Sequence, residues 1–150
     1  MTQHWHLAQL NTATALYGND DPRMQPFMEK LDEINALADA SDGFVWRLQD
    51  EGGNATDIRA TDDPYLLINM SVWESVDALF EFTYKSAHAM VMADRQKWFD
   101  LPNEAHQVMW WIPAGELPTI DDALERLRQL RANGPTPAAF TFKQRFDPPA

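Results

Sequence analysis

Apolar and polar positions alternate with a period of two in some stretches of the chain and recur every three or four residues in others. Leu7 to Asn11 alternates, with Leu7, Gln9 and Asn11 on one face and His6, Ala8 and Leu10 on the other, which predicts a first strand. Asp21 is then placed to cap a helix that carries Pro22 at its first position. Met24, Phe27, Met28, Leu31, Ile34, Leu37 and Ala38 follow at helical spacing, and Ser41-Asp42-Gly43 ends the run. Phe44 to Gln49 predicts a second strand, with Phe44, Trp46 and Leu48 opposite Val45 and Arg47. Asp50 to Asp63, with its glycines and acids, reads as an exposed hairpin loop.

Tyr65 to Trp73 divides cleanly. Leu66, Ile68, Met70 and Val72 form an aliphatic face, and Leu67, Asn69, Ser71 and Trp73 a mixed polar and aromatic one. Glu74 to about Phe99 is expected to be helical, with Val76, Leu79, Phe80, Thr83, Ala87, Met90 and Val91 inward and a break near Ser86. Pro102 closes that segment, and Ala105 to Ile112 is the fourth strand. Thr119-Ile120-Asp121-Asp122 opens a last helix with Ala123, Leu124, Leu127 and Leu130 inward, stopped by Asn133-Gly134-Pro135. The tail alternates at Phe140-Thr141-Phe142 and either adds a short strand or packs against the body.

The order β-α-β-β-α-β plus a C-terminal helix is the split-βαβ, ferredoxin-like arrangement of an α+β fold, and one such domain accounts for residues 1–150. With both helices on one face of the sheet, the other is expected to lie open. The open face is expected to carry Gln9, Asn11, Arg47, Asn69, Ser71 and Trp73, with either Trp110 or Trp111. It is too aromatic for water and too polar for a dry core. A homodimer around a partly polar cavity that takes a small molecule is the expected solution.

Composition narrows the chemistry. The chain has 12 Lys+Arg against 23 Asp+Glu, a net charge of −11, which argues against nucleic acid as a partner. It has no cysteine, so disulfides, thiolate metal sites and a cysteine nucleophile are excluded. No apolar run approaches the roughly 20 residues that span a bilayer, and the start lacks the pattern of a secretory signal. The expectation is a cytoplasmic protein with no membrane partner. No G-x-S-x-G, Walker, G-x-G-x-x-G or H-E-x-x-H pattern occurs.

Seven segments together resemble the domain-of-unknown-function family 3291. They are His6–Asn11, Asp32–Ala38, Gly43–Leu48, Asn69–Glu74, Lys97–Phe99, Trp110–Gly115 and Ala139–Phe142. That family resembles the wider dimeric α+β barrel group, which includes antibiotic-biosynthesis and heme-degrading monooxygenases. The resemblance implies two ferredoxin-like subunits joined through their sheets, with a cavity between each sheet and its helices. It also implies a role for Asn69 and Trp73, because cofactor-free monooxygenases of the group use an Asn and a Trp at this spacing to activate a substrate and oxygen. Leu79 stands where those enzymes have a helix Tyr, and Arg95 lies near their Arg position. The heme-degrading pattern fits less well. Asn11 matches its first-strand Asn, but Phe82 replaces the helix Trp and Met92 the axial His, so heme is not expected and no cofactor is.

His88, on a helix beside Ser86 and within a turn of Tyr84, is the candidate general base, the alternative being a hydrogen-bonded structural histidine under the loop. Arg47 and Arg95 are candidate anchors for an anionic group, although guanidinium groups as often bridge to neighbouring acids. Asn11, Ser71, Tyr84 and Trp111 complete the expected substrate-binding set. His4 and His6 form an H-x-H pair with no third ligand, so no metal is expected; His106 reads as surface or filler. A cofactor-independent monooxygenase-like enzyme for an apolar or aromatic molecule leads. A binding protein without turnover and a purely structural dimer are the alternatives.

Overall fold

The alternating stretches do become strands. The computed structural model describes residues 4–49, 58–59, 61–86, 88–100 and 104–149. Strands β1 (Trp5–Thr14), β2 (Phe44–Arg47), β3 (Leu66–Trp73) and β4 (Gln107–Pro113) form one antiparallel sheet in the order β2-β3-β1-β4. Helix α1 (Gln25–Asp39) joins β1 to β2. Helices α2 (Val76–Lys85) and α3 (His88–Ala93) join β3 to β4, and α4 (Ile120–Asn133) follows. This is the expected ferredoxin-like βαββαβ arrangement with an added C-terminal helix. Most of the Asp50–Asp63 segment, together with Ala87 and Pro102, lies outside the described residues.

The capping signals act as read, with local differences. The Asp21 carboxylate accepts from the Arg23 amide at 2.9 Å, but it caps a 3-10 turn, Pro22–Met24, that leads into α1. Gly43 ends the α1–β2 turn at φ +81°, and a Cβ on it would lie 2.6 Å from the Ala78 Cβ of α2. Only glycine meets both demands. Ser75 caps α2 by accepting from the Ala78 amide at 3.1 Å, and Thr119 caps α4 by accepting from Asp122 at 3.2 Å. The long helix does break at Ser86, whose hydroxyl bonds back to the Phe82 carbonyl where the backbone turns extended. Phe80, expected inward, instead packs under the tail against Tyr84 and Phe142.

The main correction concerns the two sheet faces. The aliphatic face (Ala8, Leu10, Ile68, Met70, Val72, Val108, Trp110, Ile112) is buried beneath Ala123, Leu127 and Leu130 of α4. The mixed face is not open: α1 and α2 lie over it, with Ala38, Val76 and Leu79 packed against Leu7, Trp73 and Met109. The alternation separated the faces correctly, but element order does not say on which side a C-terminal helix will settle. Covering both faces within one chain removes the exposed-face argument for a dimer.

A second correction is local. β2 pairs Phe44 with Trp73 and Arg47 with Ser71, but its register shifts between Phe44 and Trp46. This bulge puts Phe44 and Arg47 on the same face, where strict alternation had separated them, and leaves Val45 exposed. The tail both pairs and packs. Phe140 exchanges two backbone hydrogen bonds of 2.9 Å with Met109, and its side chain is fully buried.

Candidate functional site in the sheet–helix cleft

Cross-strand register stacks the mixed face into rows. Leu7 lies between Trp73 and Trp111, Gln9 between Ser71 and Met109, and Asn11 between Asn69 and Gln107. The first row is an aromatic plug, on which Phe44 meets Trp73 edge-on at 5.4 Å and Phe82 stacks at 5.2 Å. The other two rows carry amides and a hydroxyl. They form the floor of two adjoining cavities under α1 and α2, of about 180 and 460 Å³. Asn11, Asn69, Ser71, Phe27, Phe82 and Phe99 line both.

Gln9 is the hub of the floor and is 3% exposed. Its Nε2 donates to Asn69 Oδ1 and to Ser71 Oγ, each at 2.8 Å. The Trp73 indole N–H donates to the same Ser71 oxygen at 2.9 Å. Gln107 Nε2 approaches Gln9 Oε1 to 3.5 Å. Asn11 Oδ1 is buried on this floor without a hydrogen-bond partner among the described residues. A buried acceptor left unmatched costs on the order of 1–3 kcal/mol, so it marks a position where a ligand donor would be favoured.

Of the expected site residues, Asn11, Asn69, Ser71, Trp73 and Arg47 do meet around the smaller cavity. Arg47 sits in the wall with Nε 2.8 Å from Asp39 Oδ1 and Nη2 3.3 Å from Asp39 Oδ2, tying β2 to the end of α1. Arg95 lines the larger cavity and is exposed. Tyr84 and Trp111 do not join them. Tyr84 is 46% exposed on the outer side of α2 and packs on Phe80 and Phe142. Trp111 lies across Leu7 from Trp73, and its indole donates to the Phe146 carbonyl at 2.9 Å. His88 heads α3, but its side chain lies outside what is described.

Reading by residue type passed over several cavity residues. Asn35, a buried amide on α1, lines the smaller cavity; Thr83, His106 and Gln107 line the larger. Gln9 stood on the correct face, yet its role depends on the β1–β3 register, which a single strand does not encode. Leu79, Phe82 and Met92 all line the larger cavity. Among the described residues no group of three or more His, Cys, Asp or Glu could hold a metal ion. No described helix is long and apolar enough to cross a membrane.

A ferredoxin-like sheet with a polar-floored cleft beneath two helices defines the structural class. The chain belongs to the domain-of-unknown-function family 3291, whose model matches residues 6–150. No curated protein matches it. Among solved structures it is similar to a Nitrosomonas europaea protein provisionally named an antibiotic biosynthesis monooxygenase. The identity is 15% and the TM-score 0.45, with 78% of this chain and 94% of that one covered. It is also similar to PA3566 from Pseudomonas aeruginosa, at 13% identity and a TM-score of 0.49, with 79% and 100% covered. A Chloroflexus aurantiacus protein, again provisionally named an antibiotic biosynthesis monooxygenase, gives 12% identity and a TM-score of 0.43, with 77% and 98% covered.

Proposed function

We propose that the cleft binds a small, flat, aromatic molecule and activates it toward oxygen without a cofactor, as a monooxygenase-like enzyme. The observation that carries this reading is the floor itself: Asn69 and Ser71 beside a buried, unpartnered Asn11 oxygen, under aromatic walls. Hydrogen-bond donors fixed in such a site stabilise the oxyanion formed when a base takes a proton from a carbon acid or phenol. For a hydroxynaphthalene, C10H8O plus O2 gives the naphthoquinone C10H6O2 plus H2O. The substrate supplies every electron, so the balance needs no external reductant.

Asn69 and Ser71 hold the substrate oxygen in this reading, and Trp73 supports Ser71 from below. His88 is the base expected from sequence, and His106, which lines the larger cavity, is the second candidate. Oxygen uptake with a panel of hydroxynaphthalenes tests the proposal. Asn69→Ala should lower uptake about 100-fold, and His88→Ala and His106→Ala identify the base. Ligand binding with no oxygen uptake would overturn the catalytic part.

A second reading, binding without turnover, is favoured by one specific feature. The hydrogen bonds that link Gln9 to Asn69, Ser71 and Gln107, and Trp73 to Ser71, join only amides, a hydroxyl and an indole, with no acid or base among them. We also propose a homodimer, now through β2, an edge strand with β3 as its one strand neighbour among the described residues. Sedimentation equilibrium tests it, and a monomer at micromolar concentration would overturn it.

A further inference from the structure

We propose that the floor is a fixed hydrogen-bond template selecting an uncharged aromatic molecule with a carbonyl oxygen next to an N–H or O–H group, and that Gln9 is the positioning residue. This deepens the reading of the cleft as a small-molecule site and rests on it.

The polarity follows from counting donors and acceptors. Gln9 gives its Nε2 hydrogens to Asn69 Oδ1 and Ser71 Oγ. With its oxygen turned to Gln9, Asn69 presents the Nδ2 amide, a donor, to the cavity. Ser71 Oγ accepts from both Gln9 and Trp73, which engages its two lone pairs and leaves its hydrogen to donate. Asn11 Oδ1 is an acceptor with no partner among the described residues. Asn69, Ser71 and the Asn11 oxygen therefore offer two donors and one acceptor between them.

A carbonyl oxygen has two lone pairs and takes both donors. A neighbouring N–H or O–H on the ligand then meets the Asn11 oxygen. Asn11 and Asn69 are directly opposed across β1 and β3, where Cβ atoms stand about 4.5–5.5 Å apart, a span that suits adjacent ligand groups. The groups that face the ligand here are neutral amides and a hydroxyl, so they select a ligand that is uncharged as it binds; the oxyanion of the proposed reaction forms only afterwards, against the two donors. Phe27, Phe82 and Phe99 flank both cavities and require a flat apolar body.

Calorimetric titration with isoquinolin-1(2H)-one, its N-methyl derivative and naphthalene tests the template on the unaltered protein. The lactam should bind, and N-methylation should weaken it about ten-fold or more, because the Asn11 oxygen again lies buried and unmatched. Asn11→Ala should erase that difference. In Gln9→Glu the carboxylate can only accept, so Asn69 turns its amide to it and presents oxygen to the cavity; lactam affinity should fall about ten-fold while naphthalene affinity holds. If the lactam, its N-methyl form and naphthalene bind the unaltered protein equally, the site stands and the template is overturned. If none of the three binds, both the template and the reading of the cleft as a ligand site are overturned. The unaltered-protein comparison decides the matter even where a variant fails to fold.

Discussion

Removing the Ser71 hydroxyl tests the floor without any ligand. Ser71→Ala takes one oxygen away from two donors, the Trp73 indole N–H at 2.9 Å and Gln9 Nε2 at 2.8 Å. The Trp73 side chain is 1% exposed, and its N–H has no second acceptor among the described residues, so the donor is left buried and unmatched. That costs about 1–3 kcal/mol. Gln9 keeps Asn69, so its loss is nearer a single neutral hydrogen bond, about 0.5–1 kcal/mol. The sum is about 1.5–4 kcal/mol, or roughly 3–16 °C in Tm for a chain of this size. Urea unfolding followed by tryptophan fluorescence, with calorimetry beside it, should show a lower midpoint at an unchanged slope. Adding Trp73→Phe should make the two changes strongly non-additive, because the double variant no longer strands the indole N–H. A Ser71→Ala protein within about 0.5 kcal/mol of the parent would refute the network as the floor's organising contact.

Two further outcomes follow from the frame around the cleft. Gly43→Ala should cost about 2–4 kcal/mol, combining positive φ with overpacking against Ala78, and adding Ala78→Gly should recover only the packing part; an unshifted melting curve would contradict this. Hydrogen bonds from the Arg23 guanidinium and amide hold the Asp21 carboxyl down from 3.8 to about 2. Because the folded-state value is the lower one, its contribution is present above about pH 4 and is lost as pH falls through 2. NMR titration should place the Asp21 midpoint near 2 and return it toward 3.8 in Arg23→Ala, and an unmoved midpoint would exclude the pairing as its cause.

What sequence reasoning reaches depends on the range of the signal. Caps at Asp21 and Thr119, the glycine stop at Gly43 and the break at Ser86 depend on residues within four positions, and all are legible. So is the shared face of Asn69, Ser71 and Trp73, since strand period alone sets it. The Val45 bulge is different: it is decided by pairing with β3 and leaves no mark in the alternation of β2. The choice of which sheet face α4 covers is longer-range still. Residue type alone groups Tyr84 and Trp111 with the site, but their helix side and sheet row direct them elsewhere. Gln9 shows the converse, a residue placed on the right face by strand period and made the hub only by cross-strand register.

The order β2-β3-β1-β4 also bears on how the chain is made. The first strand synthesised occupies the middle of the sheet, and both its neighbours come much later, at Leu66–Trp73 and Gln107–Pro113. At about 5–20 residues per second, roughly 5–20 s separate translation of β1 from that of its second neighbour. Leu7, Ala8 and Leu10, all 0% exposed in the finished fold, have no strand to pair with until β3 is made, and one edge of β1 stays open until β4 is made. Slowing elongation between residues 14 and 107 should lengthen that exposure and raise the aggregated fraction without altering the folded protein.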